Sequence, residues 1–117
     1  MPYTNIQLTE FLNAYITAAL WSSSDGDNES LEEFEVADET RTKMKEDCLK
    51  FHNENHTLLY GLDPAQCGHD FWLTRNGHGC GFWDRNLGEV GDKLSEVCSK
   101  WGEVNLYITD DNQIDFR

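Results

Sequence analysis

Residues 69–85 have the sequence HDFWLTRNGHGCGFWDR, the most distinctive stretch of the chain. Two aromatic-rich runs, residues 69–75 and 80–85, flank NGHG, a series of turn-forming residues. When the two runs are paired about this turn, Trp72 faces Trp83, and an aspartate faces an arginine nearby. Aromatic pairs and pairs of opposite charge are favourable across neighbouring strands. The pattern therefore predicts a β-hairpin.

The sequence that follows the predicted hairpin indicates one more helix and two more strands. Residues 87–101 place apolar side chains at helical spacing, and Gly102 follows directly as a helix end. Residues 103–109 alternate between polar and apolar side chains, as half-buried strands do. After the turn DDNQ, residues 114–116 are expected to pair back as a short edge strand.

The sequence that precedes the hairpin indicates two amphipathic helices. Residues 4–21 and 37–60 both place apolar side chains at a spacing of about 3.6 residues. Asp38 is the expected N-cap of the second helix, and Gly61 its expected end. Between the helices, residues 22–33 are rich in Ser, Asp, Asn and Gly, which predicts a surface loop.

These elements predict an α+β fold in one domain that spans residues 1–117. The first part, residues 1–62, is expected to be helical and acidic. The second part, residues 63–117, is expected to be a β-β-α-β-β unit with a four-stranded, mainly antiparallel sheet. A chain of 117 residues has the usual length for one hydrophobic core.

The charge of the chain limits its partners. Twenty-two acidic residues against nine basic ones give a formal net charge of −13. This balance argues against nucleic acid and anionic membranes as partners, because both are bound by Lys and Arg. The partners that remain for so negative a surface are basic proteins, cations or none, and a basic protein is the expected one. The predicted partner-binding residues are the carboxylates of the acidic segment, namely Asp25, Asp27, Glu29, Glu32, Glu33, Glu35, Asp38 and Glu39.

The predicted hairpin offers a second candidate site, which would suit a small molecule or a peptide. An aromatic wall with a few polar groups is typical of such sites. The residues of this alternative ligand site are His69, Trp72, Arg75, His78 and Trp83.

A metal site is a weaker hypothesis. Cys67, His69, His78 and Cys80 supply the ligand types that zinc prefers, but their CxH and HxC spacing differs from the usual CxxC pairs. No phosphate-binding loop motif is present, and mixtures of His, Asp and Arg are common in small domains. The sequence therefore predicts no cofactor and no enzyme activity, and it leaves metal binding by the four residues open.

The N-terminal sequence and the cysteines suggest a compartment. The chain begins MPYTNIQLTEFLN, without the basic and apolar regions of a secretory signal, and its apolar runs are too short to span a membrane. The four cysteines are therefore expected to be reduced thiols in the cytoplasm.

The run HDFWLTRNGHGCGFWDR, with Gly88, Gly91, Leu94 and the terminal LYITDDNQI, resembles a family of small proteins of unknown function from bacteriophages and related mobile elements. The resemblance is clearest over residues 66–117. Where this family usually has a small residue within GHGxGFWDR, this chain has Cys80, which weakens the zinc hypothesis. The resemblance implies a phage protein in the host cytoplasm. Phage proteins of similar size and charge inhibit host defences, some by imitating DNA.

Overall fold

Four helices and a small three-stranded sheet make up the described part of the chain, which covers residues 3–23, 31, 34–77, 82 and 88–116. This description comes from a computed structural model. In chain order, the elements are α1 (Asn5–Ser22), β1 (Glu35–Val36), α2 (Asp38–Leu59), α3 (Pro64–Arg75), α4 (Glu89–Trp101), β2 (Leu106–Ile108) and β3 (Gln113–Phe116).

Three helices lie close to their predicted positions, because their sequences contain clear boundary signals. At the start of α1, the Thr4 hydroxyl accepts a hydrogen bond from the backbone N–H of Gln7, whose side chain accepts one from the Thr4 N–H. The α4 helix ends at Gly102, which has a φ of 77°. At α2 the expected cap is wrong: Ala37 is the N-cap and Asp38 is the first helical residue.

The predicted β-hairpin is wrong, because residues 64–75, which include its predicted first strand, form the helix α3. The Asp63 carboxylate accepts a hydrogen bond from the Gln66 N–H at 2.9 Å, and Pro64 occupies the first helical position. These are signals of a helix start. Four successive residues, Asp70 to Leu73, are buried, so this helix lacks the amphipathic period that identifies helices at a surface. The predicted second strand, residues 80–85, lies outside the described residues except for Phe82.

The predicted four-stranded antiparallel sheet is also wrong. The observed sheet has three strands in the order β1-β3-β2, with β1 parallel and β2 antiparallel to β3. The expected C-terminal strand pair is present, but β3 lies at the centre of the sheet and not at its edge. The second half of the chain is therefore not a β-β-α-β-β unit.

The core lies where α3 crosses the other helices. The α1 and α3 helices approach closely at Gly68: a Cβ atom at this position would collide with the carbonyl oxygen of Phe11. Beside this crossing, the rings of Phe51 and Phe71 stack with centroids 4.1 Å apart. These rings belong to α2 and α3, so the aromatic core joins three helices.

Among the described helices, none combines the length and the apolar composition that a membrane crossing requires.

Candidate functional site

The predicted partner-binding segment lies partly within the described residues. Glu35 belongs to β1, and Asp38 and Glu39 form the start of α2; all three side chains are exposed. The other predicted residues of this set lie outside the described part of the chain, namely Asp25, Asp27, Glu29, Glu32 and Glu33. The structure therefore shows the position of the last three carboxylates of the segment.

The sheet brings two further carboxylates close to this segment. In the parallel register, Glu35 is the partner of Gln113, which directly follows the turn that contains Asp110 and Asp111. Both aspartates are exposed. We use the name acidic face for the exposed carboxylates around β1 and this turn, namely Glu35, Asp38, Glu39, Asp110 and Asp111.

Hydrogen bonds attach the start of α2 to β3. The backbone N–H of Ala37 donates to the carbonyl oxygen of Ile114 at 3.0 Å. The hydroxyl of Thr40 donates to the carboxylate of Asp115. These contacts join residues that are more than seventy positions apart in the chain, so sequence periodicity gives no sign of them.

Some carboxylates of the acidic face also have a structural role. Asp38 and Glu39 lie in the first turn of α2, where unpaired backbone N–H groups carry partial positive charge. Acidic side chains at such positions stabilise a helix by about 0.3–1 kcal/mol each. Asp110 and Asp111 occupy a turn, where aspartate is favoured. These structural roles explain part of the acidity of the face. The argument for a binding role therefore rests on the exposure of its carboxylates and on the excess of acidic side chains around them.

Exposed carboxylates outnumber exposed bases over the described surface. Thirteen of the sixteen Asp and Glu side chains in the described residues are exposed, against six Lys and Arg side chains. Carboxylates accept hydrogen bonds, and Lys and Arg donate them with full charge. This surface is therefore suited to a protein groove lined by Lys and Arg.

The alternative ligand site does not form as predicted. Trp72 is 2% exposed, and its indole N–H donates to the Ser22 hydroxyl at 2.9 Å. Arg75 is also buried. His69 lies on the same helix and is partly exposed, whereas His78 and Trp83 lie outside the described residues. Two of the five predicted side chains therefore belong to the core.

Arg75 is a structural residue that joins the four helices. Its guanidinium donates to the Tyr15 hydroxyl on α1 at 3.0 Å and to the Asp47 carboxylate on α2 at 3.2 Å. It also donates to the carbonyl oxygens of Trp101 and Gly102 at the end of α4. Burial raises the pKa of the Tyr15 hydroxyl above its usual range, so this group stays protonated.

His69 forms a small polar and aromatic group at the surface of α3. Its Nδ1 atom lies 3.1 Å from the carboxylate of Asp70, which is buried. The ring of His69 lies 5.8 Å from that of Trp21, which is 43% exposed. The carboxylate is placed to orient the imidazole.

The proposed metal ligands are only partly described. Cys67 and His69 are two residues apart on α3, and side chains with this spacing on a helix do not face each other. His78 and Cys80 lie outside the described residues. Where the structure does describe the chain, His, Cys, Asp and Glu side chains do not form any group of three or more that could hold a metal ion.

His52 belongs to a contact between the N-terminal residues and α2. Its Nε2 atom accepts a hydrogen bond from the backbone N–H of Tyr3 at 3.0 Å, and the two rings stack with centroids 5.0 Å apart. Burial lowers the pKa of His52, and the neighbouring His56 lowers it further. His52 is therefore a neutral hydrogen-bond acceptor in the folded protein.

The position of Asp110 and Asp111 next to Glu35 could not be predicted from local sequence patterns. The only available signal was the strand-turn-strand pattern that places them at an exposed turn. No protein-family model, curated protein or solved structure matches the chain. The case for a function therefore comes from the residues themselves.

Proposed function

We propose that the protein binds, through its acidic surface, a basic or nucleic-acid-handling protein of a bacterial host and inhibits it. The observation that supports the proposal is the excess of exposed carboxylates over exposed bases, with Glu35 pairing next to the turn that contains Asp110 and Asp111. The resemblance to phage proteins adds the host cytoplasm as the site of action.

The proposed mechanism is competitive occlusion. The carboxylates of residues 25–39, together with Asp110 and Asp111, would occupy a groove whose Lys and Arg side chains otherwise contact phosphates. A strongly negative surface also speeds encounter with a positive one, and salt screens this attraction. Charge complementarity contributes more to association rate and specificity than to raw affinity. Inhibition is therefore expected to be fast at low ionic strength.

The alternative, recognition of a small molecule by an aromatic hairpin, is not proposed. The residues predicted as the first strand of the hairpin form a helix. Trp72 and Arg75 make core contacts that a ligand would have to displace.

The experiment begins with capture of partners from a bacterial extract on the immobilised protein at low salt, followed by mass spectrometry. The affinity of the purified partner is then measured at about 50 mM and 500 mM salt. We expect a basic protein whose affinity falls at least tenfold at high salt, because screening shortens the range of charge interactions. Affinity that does not change with salt, or capture without any basic protein, would contradict the proposal.

Two amide variants with equal net charge locate the binding surface. The first changes the five carboxylates of the acidic face: Glu35→Gln, Asp38→Asn, Glu39→Gln, Asp110→Asn and Asp111→Asn. The control changes five exposed carboxylates elsewhere: Glu10→Gln, Glu46→Gln, Glu54→Gln, Glu96→Gln and Glu103→Gln. Binding should weaken at least tenfold in the first variant and much less in the control. Equal weakening in both variants would exclude the acidic face as the binding surface.

A further inference from the structure

A groove lies between α1 and α2, away from the acidic face. Its volume is about 310 Å³, which is at the small end of the range for ligand sites. The lining residues are Asn5, Leu8, Thr9 and Leu12 from α1, and Lys45, Cys48 and Leu49 from α2.

The α1 helix packs more closely on α3 than on α2. At α3, Gly68 allows the helix backbones to approach each other. Towards α2, the facing residues of α1 have the spacing i, i+3, i+4 and i+7, which places them on one side of the helix. These side chains are larger than glycine and hold the two helices apart. The space between α1 and α2 is therefore built into the fold by the helix crossing.

The walls of the groove are mainly apolar, and its base is uncharged. Leu8, Leu12 and Leu49 supply aliphatic side chains that are partly buried. Cys48 lies at 3% exposure, and burial raises the pKa of its thiol, so this group stays neutral.

One edge of the groove is cationic in a protein that is otherwise acidic. Lys45 is exposed and forms no ion pair with another described residue. Arg41 lies four positions earlier on the same helix, so both cations lie on one side of α2. A ligand whose apolar chain lies in the groove would therefore have a positively charged side chain near one end of that chain.

From this arrangement we infer that the groove binds a single-chain amphiphilic anion, such as a medium-chain carboxylate. Leu8, Leu12 and Leu49 contact the chain, and the ammonium group of Lys45 pairs with the carboxylate. Charge complementarity at Lys45 favours an anionic occupant, and the small volume favours one short chain. This inference is independent of the proposed host partner, because it concerns a different surface.

The test uses decanoate as the probe and 1-decanol as its uncharged analogue, both measured by titration calorimetry with the full chain. Thr9→Phe fills the groove from an exposed position on α1 and should weaken decanoate binding at least tenfold. Thr17→Phe makes the same change at another exposed position of α1 and should leave binding unchanged. Binding that Thr9→Phe leaves intact would overturn the inference.

A second pair of variants tests the role of charge. Lys45→Gln should weaken decanoate binding about twofold to fivefold, as for an exposed ion pair, and leave decanol binding unchanged. Lys50→Gln serves as the control, since this lysine lies 5.7 Å from the Trp101 ring on another surface. Equal loss for decanoate and decanol in Lys45→Gln would overturn the assignment of the carboxylate to Lys45.

A second copy of the chain is the competing occupant, and sedimentation distinguishes it. The inference predicts that the molecular mass in solution is the same for the parent protein and Thr9→Phe. A parent dimer that Thr9→Phe converts to a monomer would show that the groove is an interface between copies, and it would overturn the inference.

Discussion

The two sides of α1 meet their neighbours in different ways. On one side, Gly68 of α3 allows the backbone of α1 to approach so closely that a single methyl group would collide with the Phe11 carbonyl. On the other side, larger residues face α2 and leave a groove of about 310 Å³. The comparison shows that one glycine can decide which pair of helices packs closely and which pair leaves a groove.

Contacts away from the groove help to hold α2 in place. Phe51 of α2 stacks on Phe71 of α3, and aromatic pairs of this kind contribute about 0.5–1.5 kcal/mol beyond burial. Asp47 of α2 pairs with Arg75 of α3, and Lys43 pairs with the other oxygen of the same carboxylate at 2.8 Å. These contacts join α2 to α3, away from the groove.

The largest expected effect comes from removal of the Arg75 guanidinium. Arg75→Met would leave the Asp47 carboxylate buried, with an exposed lysine as its remaining partner, and would remove donors from Tyr15 and the end of α4. Breaking a buried ion pair costs about 3–5 kcal/mol. Urea denaturation should show a fall of this size in the free energy of unfolding.

The control for this prediction replaces both members of the pair. Asp47→Leu combined with Arg75→Met removes the uncompensated charge, and it should recover part of the lost stability. Recovery should be incomplete, because the Tyr15 hydroxyl and two carbonyl oxygens still lack their donor. If the single change cost less than about 1 kcal/mol, the size of a typical neutral hydrogen bond, Arg75 would not be the main attachment of α2.

The next effect in size concerns the closed side of α1. Gly68→Ala should lower the free energy of unfolding by about 3 kcal/mol, the upper end for overpacking, because backbone atoms must move to make room. Gly77→Ala is the control: its φ is 74° and nothing lies within 4 Å of an added Cβ, so only the backbone cost of about 1–2 kcal/mol applies. Equal effects in thermal or urea denaturation would contradict the close approach.

Three of the four described helices could be predicted from the sequence, and the reason for the error at α3 is physical. The α1, α2 and α4 helices have one side in solvent, so their apolar period is visible. In α3, consecutive residues such as Asp70 and Phe71 are buried together, and the pattern resembles an aromatic strand. The start signal Asp63-Pro64 is present in the sequence, but a proline shortly after Gly61 is equally typical of the end of the preceding helix.

The sheet and the site were predictable to different degrees. The C-terminal strand pair could be identified because its partners are adjacent in sequence. Strand β1 has only two residues and pairs with a strand almost eighty positions away, and local patterns contain no information on such contacts. For the same reason, the acidic character of residues 35–39 was evident, whereas the pairing of Glu35 next to the turn with Asp110 and Asp111 was not.

The smallest expected effect concerns the other end of α2, where Tyr3 donates to His52. Because burial lowers the pKa of His52 below its ordinary 6.5, the unfolded chain binds this proton more readily than the folded protein. The contribution of His52 to stability is therefore complete above pH 6.5 and is lost as the pH falls towards the lowered folded pKa. Urea denaturation across this range should show this decline.

Two glutamine variants separate His52 from the other titrating groups. His52→Gln keeps a hydrogen-bond acceptor for the Tyr3 N–H and should flatten the decline of stability below pH 6.5. His56→Gln, at an exposed position one turn away, should leave most of the decline in place. The opposite ranking of the two variants would assign the pH dependence to His56.

The position of Arg75 has a consequence for how the protein unfolds. Its guanidinium finds acceptors on α1, on α2 and at the end of α4, so an assembly that lacks any one of these helices leaves part of a buried cation unsatisfied. Partly assembled forms therefore carry an electrostatic penalty that neither the complete fold nor the open chain experiences. This penalty disfavours intermediates and makes loss of structure cooperative, with the four helices separating together.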